Sequence, residues 1–450
     1  MLLVEKSLRI GSLGSTFVEE RLRRKKVLLV FDNVDDSSQL EYLLGSGDAC
    51  FGSGSRVMVT SRDRRVFAKA DEIYEVPKMN FQESLQLFNL NAFKQDNPVE
   101  DLRELSKRMV YYCDGIPLAL KVLGSFLYGR SKEEWESCLR NIEKAPHKKI
   151  VNALKLSYDG LDYKEKAIFL DIACFFAGDL VDKVKAMLGE FITVVIPVLI
   201  DLSLISISQD KKVEIHDLIK EMGLEIVRQQ SPIEPGKRSR LWCSKDVGHM
   251  LKNNTGTDAV ECISLDMYKF KEVHLSDAAF ARMPNLRFLK FYNSGPFSNG
   301  IYSSEVKISH GIGSVSDKLR LFHWDGYPSR YMPVHFCPEN LVELVMRGSH
   351  VDQLWDGVQY LPNLRTINLR YSKHLTGIPN LSRAPNLQYV NLSGCSKLKE
   401  FPVTSTNLDV LDLCKTAIVE VPSSVATLTK LSKLDLSYCE SLTNLTSSIC

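Results

Sequence analysis

The sequence predicts a multidomain α/β chain, and three observations lead there. Five consecutive apolar residues, Val27 to Phe31, run straight into Asp32, with Asp35 and Asp36 close behind. A strand buried on both faces and ending at a ligand crevice reads this way. From Asn80 onward the apolar spacing is helical, until a small hairpin near residue 204. Beyond residue 259 the frame LxxLxLxx(C/N) starts at Leu341, Leu364, Leu387, Leu408 and Leu431, in steps of 23, 23, 21 and 23. Repeats of that period build solenoids.

The opening strand carries the first candidate chemistry. In an open parallel sheet the crevice lies beyond the carboxyl ends of the strands, so Asp32 is placed to hold or orient Mg²⁺ on a nucleotide phosphate. The alternative is a helix start: Ser38-Gln39-Leu40-Glu41 fits a capping box over a helix near 38–44, and the acids would complement its dipole. Upstream, residues 17–26, FVEERLRRKK, read as a short helix with a basic last turn. Gly52-Ser53-Gly54-Ser55 leads into a second strand, Arg56 to Ser61, which ends at Arg62-Asp63. Asp32 and Arg62 stand thirty positions apart, about one strand-helix-strand unit, so parallel strands deliver both to one edge. There a guanidinium can fork onto a terminal phosphate. The competing reading pairs Arg62 with Asp63 on a wet loop. A further strand is expected at Ile73 to Val76, which makes residues 1–80 a partial nucleotide-binding α/β domain with a partial P-loop-type parallel sheet.

Residues 81–148 read as a helical bundle. Gly115 suits the position after a helix C-terminus and Pro117 the first turn of the next. Residues 149–245 form helices, then a hairpin around Gln209-Asp210-Lys211, then the helix that His216-Asp217 opens and Ser231-Pro232 closes, which is the order of a winged helix. Residues 246–258 are expected to link this module to a leucine-rich-repeat solenoid at 259–450, with weaker frames at Leu286, Leu319 and Val260. The third and sixth residues of each frame are expected to point inward, and the small polar or thiol ninth residue to face the turn backbone. Cys395 and Cys439 are then ladder residues, not nucleophiles or metal ligands.

Composition narrows the classes. A net charge of +2 with a quarter of the residues charged gives no electrostatic reason to expect nucleic acid or an acidic membrane as partner. Eleven scattered cysteines without a CxxC pair suit a reducing, cytoplasmic or nuclear setting. No basic start with a long apolar core opens the chain, and no apolar run approaches the ~20 residues that span a bilayer. The helix after the hairpin sets Lys220 and Arg228 against Glu221 and Glu225, which argues against a nucleic-acid-reading winged helix.

The ordered set LLVFDNVDD, GSGSRVMVTSRD, CDGIPLALKVLGSFL, FLDIACFF, VEIHDLIKEMGLEIVR, RSRLW and the leucine frames resembles the plant nucleotide-binding leucine-rich-repeat disease resistance proteins, in the branch with a Toll/interleukin-1-receptor-like N-terminal domain. The resemblance implies a signalling switch rather than an enzyme, off with ADP and on when ATP replaces it, with Mg²⁺ as companion ion. It implies that Asp32 is the Walker B acid, with Asn33 where many members carry a second Asp, and that Asp35 is the following motif acid. It makes Arg62 the sensor arginine. Gly115, Pro117 and Leu118 become the Gly-x-Pro-Leu turn that packs on adenine, and His216 and Asp217 the Met-His-Asp motif that touches the β-phosphate. Ile215 replaces the Met. Partners implied are a pathogen effector or a watched host protein on the repeats, and further copies in an oligomer. One departure is large: no GxxxxGK(S/T) precedes Val27, and only 26 residues stand before it. The frames also stop within a repeat at Cys450. A fragment of a longer receptor, binding ADP weakly or not at all and incapable of ATP hydrolysis, is therefore expected. The alternative is a repeat scaffold or decoy with a decayed nucleotide site.

Overall fold

The computed structural model describes residues 25–32, 34, 37, 39–40, 51–68, 70–94, 100–142, 151, 155, 157–269, 273–294, 306–308, 311–402, 406–421, 425 and 428–443. Residues 17–24 of the expected helix at 17–26, most of that at 38–44, and both Asn33 and Asp35 lie outside the described residues. The chain divides into two compact units, one of Met1–Ala173, Ala177–Val181 and Phe191–Glu225, the other of Cys174–Phe176, Asp182–Glu190 and Ile226–Cys450.

In the first unit, β1 (Leu28–Phe31) pairs parallel with β2 (Arg56–Val59), Leu28 opposite Arg56 and Phe31 opposite Val59. The ladder continues past both strands, through Thr60 N–H to the Phe31 carbonyl and Val34 N–H to the Thr60 carbonyl, both 2.9 Å. Burial on both faces does not hold. Leu28, Val30 and Met58 share one face and are 63%, 56% and 55% exposed, because the described sheet is only two strands wide. The expected strand at 73–76 is absent too: residues 72–80 belong to no helix or strand, and Ile73, Tyr74 and Val76 are exposed. A β-propensity run pairs only where another strand offers its backbone. Here the segment runs on to the helical bundle, where Met79 N–H donates to the Gly115 carbonyl.

Four helices make that bundle: α1 (Phe81–Phe93), α2 (Arg103–Cys113), α3 (Pro117–Leu127) and α4 (Lys132–Ile142). Asn80 and Glu83 cap α1 reciprocally, satisfying two free N–H groups at its start. The core holds Phe88, Met109, Leu120, Leu123 and Trp135. The Trp135 ring meets Phe88 edge-on and stacks on Phe93, while its Nε1–H donates to the Leu127 carbonyl at 3.1 Å. Next come α5 (Tyr163–Asp171), which runs into one π-helical turn at Ile172–Phe176, then α6 (Val181–Leu188), α7 (Ile192–Asp201), the antiparallel hairpin of β3 (Ser206–Ile207) and β4 (Val213–Glu214), and α8 (Asp217–Gln230). That is the expected winged-helix order. Leu218, in the first turn of α8, packs into the core of the four-helix bundle.

The second unit is the solenoid. Its nine-stranded sheet begins with β5 (Arg240–Leu241) and β6 (Cys262–Asp266), passes through β8 (Phe288–Tyr292) and β10 (Leu321–Trp324), and continues through β11 (Glu343–Val345), β12 (Thr366–Asn368), β13 (Tyr389–Asn391), β14 (Val410–Asp412) and β15 (Lys433–Asp435). Among the described residues its strands pair in parallel throughout. A side pair, β7 (Val273–Leu275) with β9 (Val306–Ile308), stands apart. Each of the eight recognised frames supplies one sheet strand, the weak ones at Val260, Leu286 and Leu319 included. The 21-residue step keeps register: Tyr389 faces Val410 and Val410 faces Lys433, as in the longer steps.

Two expectations about this unit change. The inward residues are the fourth and sixth of each frame, not the third and sixth: Leu344 and Met346, Ile367 and Leu369, Val390 and Leu392, Leu411 and Leu413 are fully buried. Glu343, Thr366, Tyr389, Val410 and Lys433, the third residues, keep some exposure, as the two-residue period of a strand requires once the fourth faces in. Residues 246–258 are not merely a link. Val247, Met250 and Leu251, on α9 (Ser244–Lys252), are buried in the same core as the leucines, so a helix closes the open face that the first repeat would otherwise leave.

The ninth-position ladder forms as expected. Ser372 Oγ, Cys395 Sγ and Cys439 Sγ donate to the carbonyls of Met346, Leu369 and Leu413 at 2.9, 3.2 and 3.1 Å, each one repeat back. A second ladder was not foreseen. The asparagine just before the frame's first leucine donates through Nδ2 to a carbonyl of the preceding repeat: Asn285 to Asp258, Asn340 to Asp317, Asn386 to Pro362 and Asn407 to Pro385. On the sheet, Asp325 is fully buried and accepts Arg347 Nε and Nη2 at 2.7 and 2.6 Å, with His323 Nε2 at 3.2 Å. The segments 174–176 and 182–190 belong to this unit. Phe176 meets Phe288 edge-on at 5.2 Å, and Arg320 Nη2 donates to the Ala186 carbonyl at 2.9 Å.

Candidate functional site

The sequence-derived site residues fall into two groups, both in the first unit. At the carboxyl edge of the sheet Asp32 follows Phe31 and Arg62 follows Ser61, so parallel pairing does bring them to one rim. Thr60, on the neighbouring strand, donates its hydroxyl to Asp32 Oδ1 at 2.5 Å. Arg62 is exposed, and beside it Arg65 forks onto the nearly buried Asp63 through Nε and Nη2, at 3.0 and 2.7 Å. That hydrogen bond raises the Arg65 pKa, and burial of the guanidinium partly offsets it. Asp63 also caps its own turn by accepting Arg65 N–H, so the residues beside Arg62 are fixed from both sides.

The second group surrounds the turn between α2 and α3. Asp114 ends α2 in a left-handed conformation (φ 42°) and Gly115 follows at φ 74°. Two left-handed residues reverse the chain, and Pro117 starts α3 at its first position. Gly115 is required twice over, since a Cβ there would lie 2.5 Å from the Met79 carbonyl oxygen. Pro117 and Leu118 present exposed apolar surface, Leu118 at 40%. A flat aromatic ligand needs such a shelf.

His216 closes on this turn. Its side chain is only 9% exposed. Nδ1 accepts the Leu218 N–H at 3.1 Å, so the neutral ring carries its proton on Nε2. Nε2 lies 2.8 Å from Asp114 Oδ2, at ion-pair distance but outside hydrogen-bond geometry, and is buried with no aligned acceptor. Lys78 Nζ reaches the same Asp114 oxygen at 2.9 Å. Burial lowers the His216 pKa first and the Lys78 ammonium lowers it further, while the Asp114 carboxylate opposes both. The imidazole is therefore a neutral donor at physiological pH. Asp217 is exposed in the first turn of α8, where an acid suits the helix dipole.

Sequence reasoning missed Lys78 and Asp114. A short acid just before the glycine of a helix-ending turn was the available signal for Asp114; Lys78 lies in the stretch misread as leading out of a strand. Among the described residues no group of three or more His, Cys, Asp or Glu gathers as a metal site. No helix of the described residues is long and apolar enough to cross a membrane.

The turn thus brings a buried N–H and a lysine beside an exposed Pro-Leu shelf. Comparison with known proteins gives the family. Residues 13–98 match the family described as NB-ARC domain, residues 162–231 that described as disease resistance protein Roq1-like, winged-helix domain, and residues 340–359 that described as Leucine Rich Repeat. A putative disease resistance protein of Arabidopsis thaliana is 40% identical over 408 residues, covering 89% of this chain and 37% of its own. Disease resistance protein RPV1 of Vitis rotundifolia is 41% identical over 85% of this chain and 29% of its own, and TMV resistance protein N of Nicotiana glutinosa 39% over 86% and 33%. The chain spans roughly a third of the length of these curated relatives. It belongs to the plant disease resistance proteins that join an NB-ARC module and a winged helix to leucine-rich repeats.

Proposed function

We propose that this chain is the switch and repeat-bearing part of an intracellular immune receptor, working in the cytoplasm or nucleus, that rests with ADP and signals after ATP replaces it. The observation that carries the reading is His216, whose buried Nε2–H faces the Gly115-Pro117 turn while its neighbour Leu218 is locked in the bundle core. A diphosphate accepted there ties the winged helix to the helical bundle, with the adenine on Pro117 and Leu118. Asp32 and Arg62 at the sheet rim serve Mg²⁺ and a third phosphate. The ligand biases the receptor only through its different affinity for two shapes. The role is non-enzymatic. The repeats recognise a pathogen effector or a watched host protein, and the longer receptor assembles with copies of itself.

For this chain the proposed ADP affinity is weak, because the sequence offers no GxxxxGK(S/T) cradle. Isothermal titration with ADP is expected to give a dissociation constant above the micromolar range, with the heat abolished in His216→Ala. Submicromolar binding would overturn the weak-binding statement, and binding unchanged in His216→Ala would overturn the site. A second reading is a repeat scaffold or decoy whose nucleotide site has decayed. A chain that binds no ADP at millimolar concentration yet still captures a repeat-binding partner would be that scaffold.

A further inference from the structure

Asp114, Lys78 and His216 make an arrangement that the nucleotide reading does not itself require. Two donors, a buried imidazole N–H and a lysine ammonium, converge on one carboxylate oxygen, at 2.8 and 2.9 Å. The carboxylate is the loosely held member. Its side chain is 54% exposed, as is 58% of Lys78, and it hangs from a left-handed residue at a helix end. An ion pair that wet is only weakly held. Of the two donors His216 is the fixed one, its Nδ1 held by the Leu218 backbone; the Lys78 side chain is as exposed as Asp114, and only the backbone beside it is tied down, through Met79 N–H to the Gly115 carbonyl. His216 Nε2 is also left without an aligned acceptor, so the carboxylate fills the anion position without satisfying it.

We infer that Lys78 and His216 form an anion clamp and that Asp114 is its built-in competitor, a carboxylate occupying the place where a phosphate oxygen of the nucleotide, or a free pyrophosphate, would bind. The inference rests on the nucleotide reading for the identity of the ligand and adds the residue that must leave. A phosphate oxygen carries more charge than a carboxylate oxygen and brings further oxygens to both donors, so it wins once it arrives. Asp114 swings into solvent as it does so. The switch thus has an intramolecular reference state, in which the winged helix and the bundle turn stay joined without ligand.

The test uses the whole chain, with histidines labelled with ¹⁵N, and reads the His216 Nε2 shift, assigned by its loss in His216→Gln. Inorganic pyrophosphate is titrated, then ADP is added in competition. Asp114→Asn removes the competing charge and is expected to lower the pyrophosphate midpoint at least threefold; Lys78→Ala in that background is expected to cancel the gain. Because Asp114 is exposed, the substitution leaves the core intact, and Lys78→Ala alone, expected to weaken pyrophosphate binding, provides a second reading. An unchanged or higher midpoint in Asp114→Asn overturns the competitor, as does the absence of pyrophosphate binding in both proteins. Displacement by ADP with no Asp114→Asn gain would sink the clamp and leave the nucleotide reading standing; a gain without displacement by ADP would do the reverse.

Discussion

Gly115 permits a quantitative test of how the bundle turn is held, because Gly129 serves as its control. Both are left-handed, at φ 74° and 72°, but a Cβ at Gly115 would sit 2.5 Å from the Met79 carbonyl oxygen, while at Gly129 nothing lies within 4 Å. Gly129→Ala therefore incurs only backbone strain, about 1–2 kcal/mol. Gly115→Ala incurs the same strain and must also push Met79 away, losing its N–H bond to the Gly115 carbonyl, about 1 kcal/mol more. The expected totals are about 1–2 and about 2–3 kcal/mol, a further factor of roughly five to ten between them. Native-state hydrogen exchange followed in peptides covering residues 105–127 measures both changes on the same amides. The packing account fails if Gly115→Ala raises exchange no more than Gly129→Ala. It also fails if the segment around Lys78 and Met79 keeps its protection in Gly115→Ala.

Three further expectations concern the solenoid. Cys395→Ser should stay within about 1 kcal/mol of wild type, because Ser372 already fills the same ladder position one repeat earlier, whereas Cys395→Ala removes one of two bonds to the Leu369 carbonyl, which keeps the Ser372 N–H at 3.0 Å, and should cost no more than about 1 kcal/mol beyond that by thermal unfolding. Arg347→Met leaves the buried Asp325 carboxylate with only the Asn293 N–H and His323 as partners and should destabilise by about 3 kcal/mol, with Asp325→Asn in the same chain recovering part of it in a double-mutant cycle. His323 is buried, and burial lowers its pKa more than the Asp325 bond raises it. The unfolded chain takes up a proton at that ring near pH 6.5 while the folded chain resists, so stability is full above that pH and drains away as pH falls toward the lowered folded value. Melting temperature between pH 7.5 and 5.5 should drop more steeply in the wild type than in His323→Gln.

The repeats were legible because one frame governs strand, core and turn at once, and a single weak match is rescued by its neighbours. Which residues faced inward was misjudged by one position: the third was read as inward together with the sixth, whereas strand alternation pairs the sixth with the fourth. Ile73 to Val76 failed for another reason. Its apolar β-branched pattern is real, but pairing depends on a neighbour that a local pattern cannot report. Residues 246–258 looked like a connector because Lys245, Asp246, Lys252, Asn253 and Asn254 dominate the impression, while Val247, Met250 and Leu251 already held helical spacing. At the site, Gly115, Pro117 and His216 were found through backbone demands and motif order. Lys78 and Asp114 were invisible because their meaning arises only when two segments, far apart in the chain, share an oxygen.

The step of 21 residues among steps of 23 has a practical outcome. Strand pairing survives the missing two residues, so the difference is absorbed entirely on the outer arc. The repeats behave like slats on a rail: their backs can lengthen or shorten while their fronts stay aligned. Side chains along the front stand at fixed spacing, and where two of them bond across the step, as Asn391 Nδ2 does to Asp412 Oδ2 at 3.0 Å, a change in one is felt by the other.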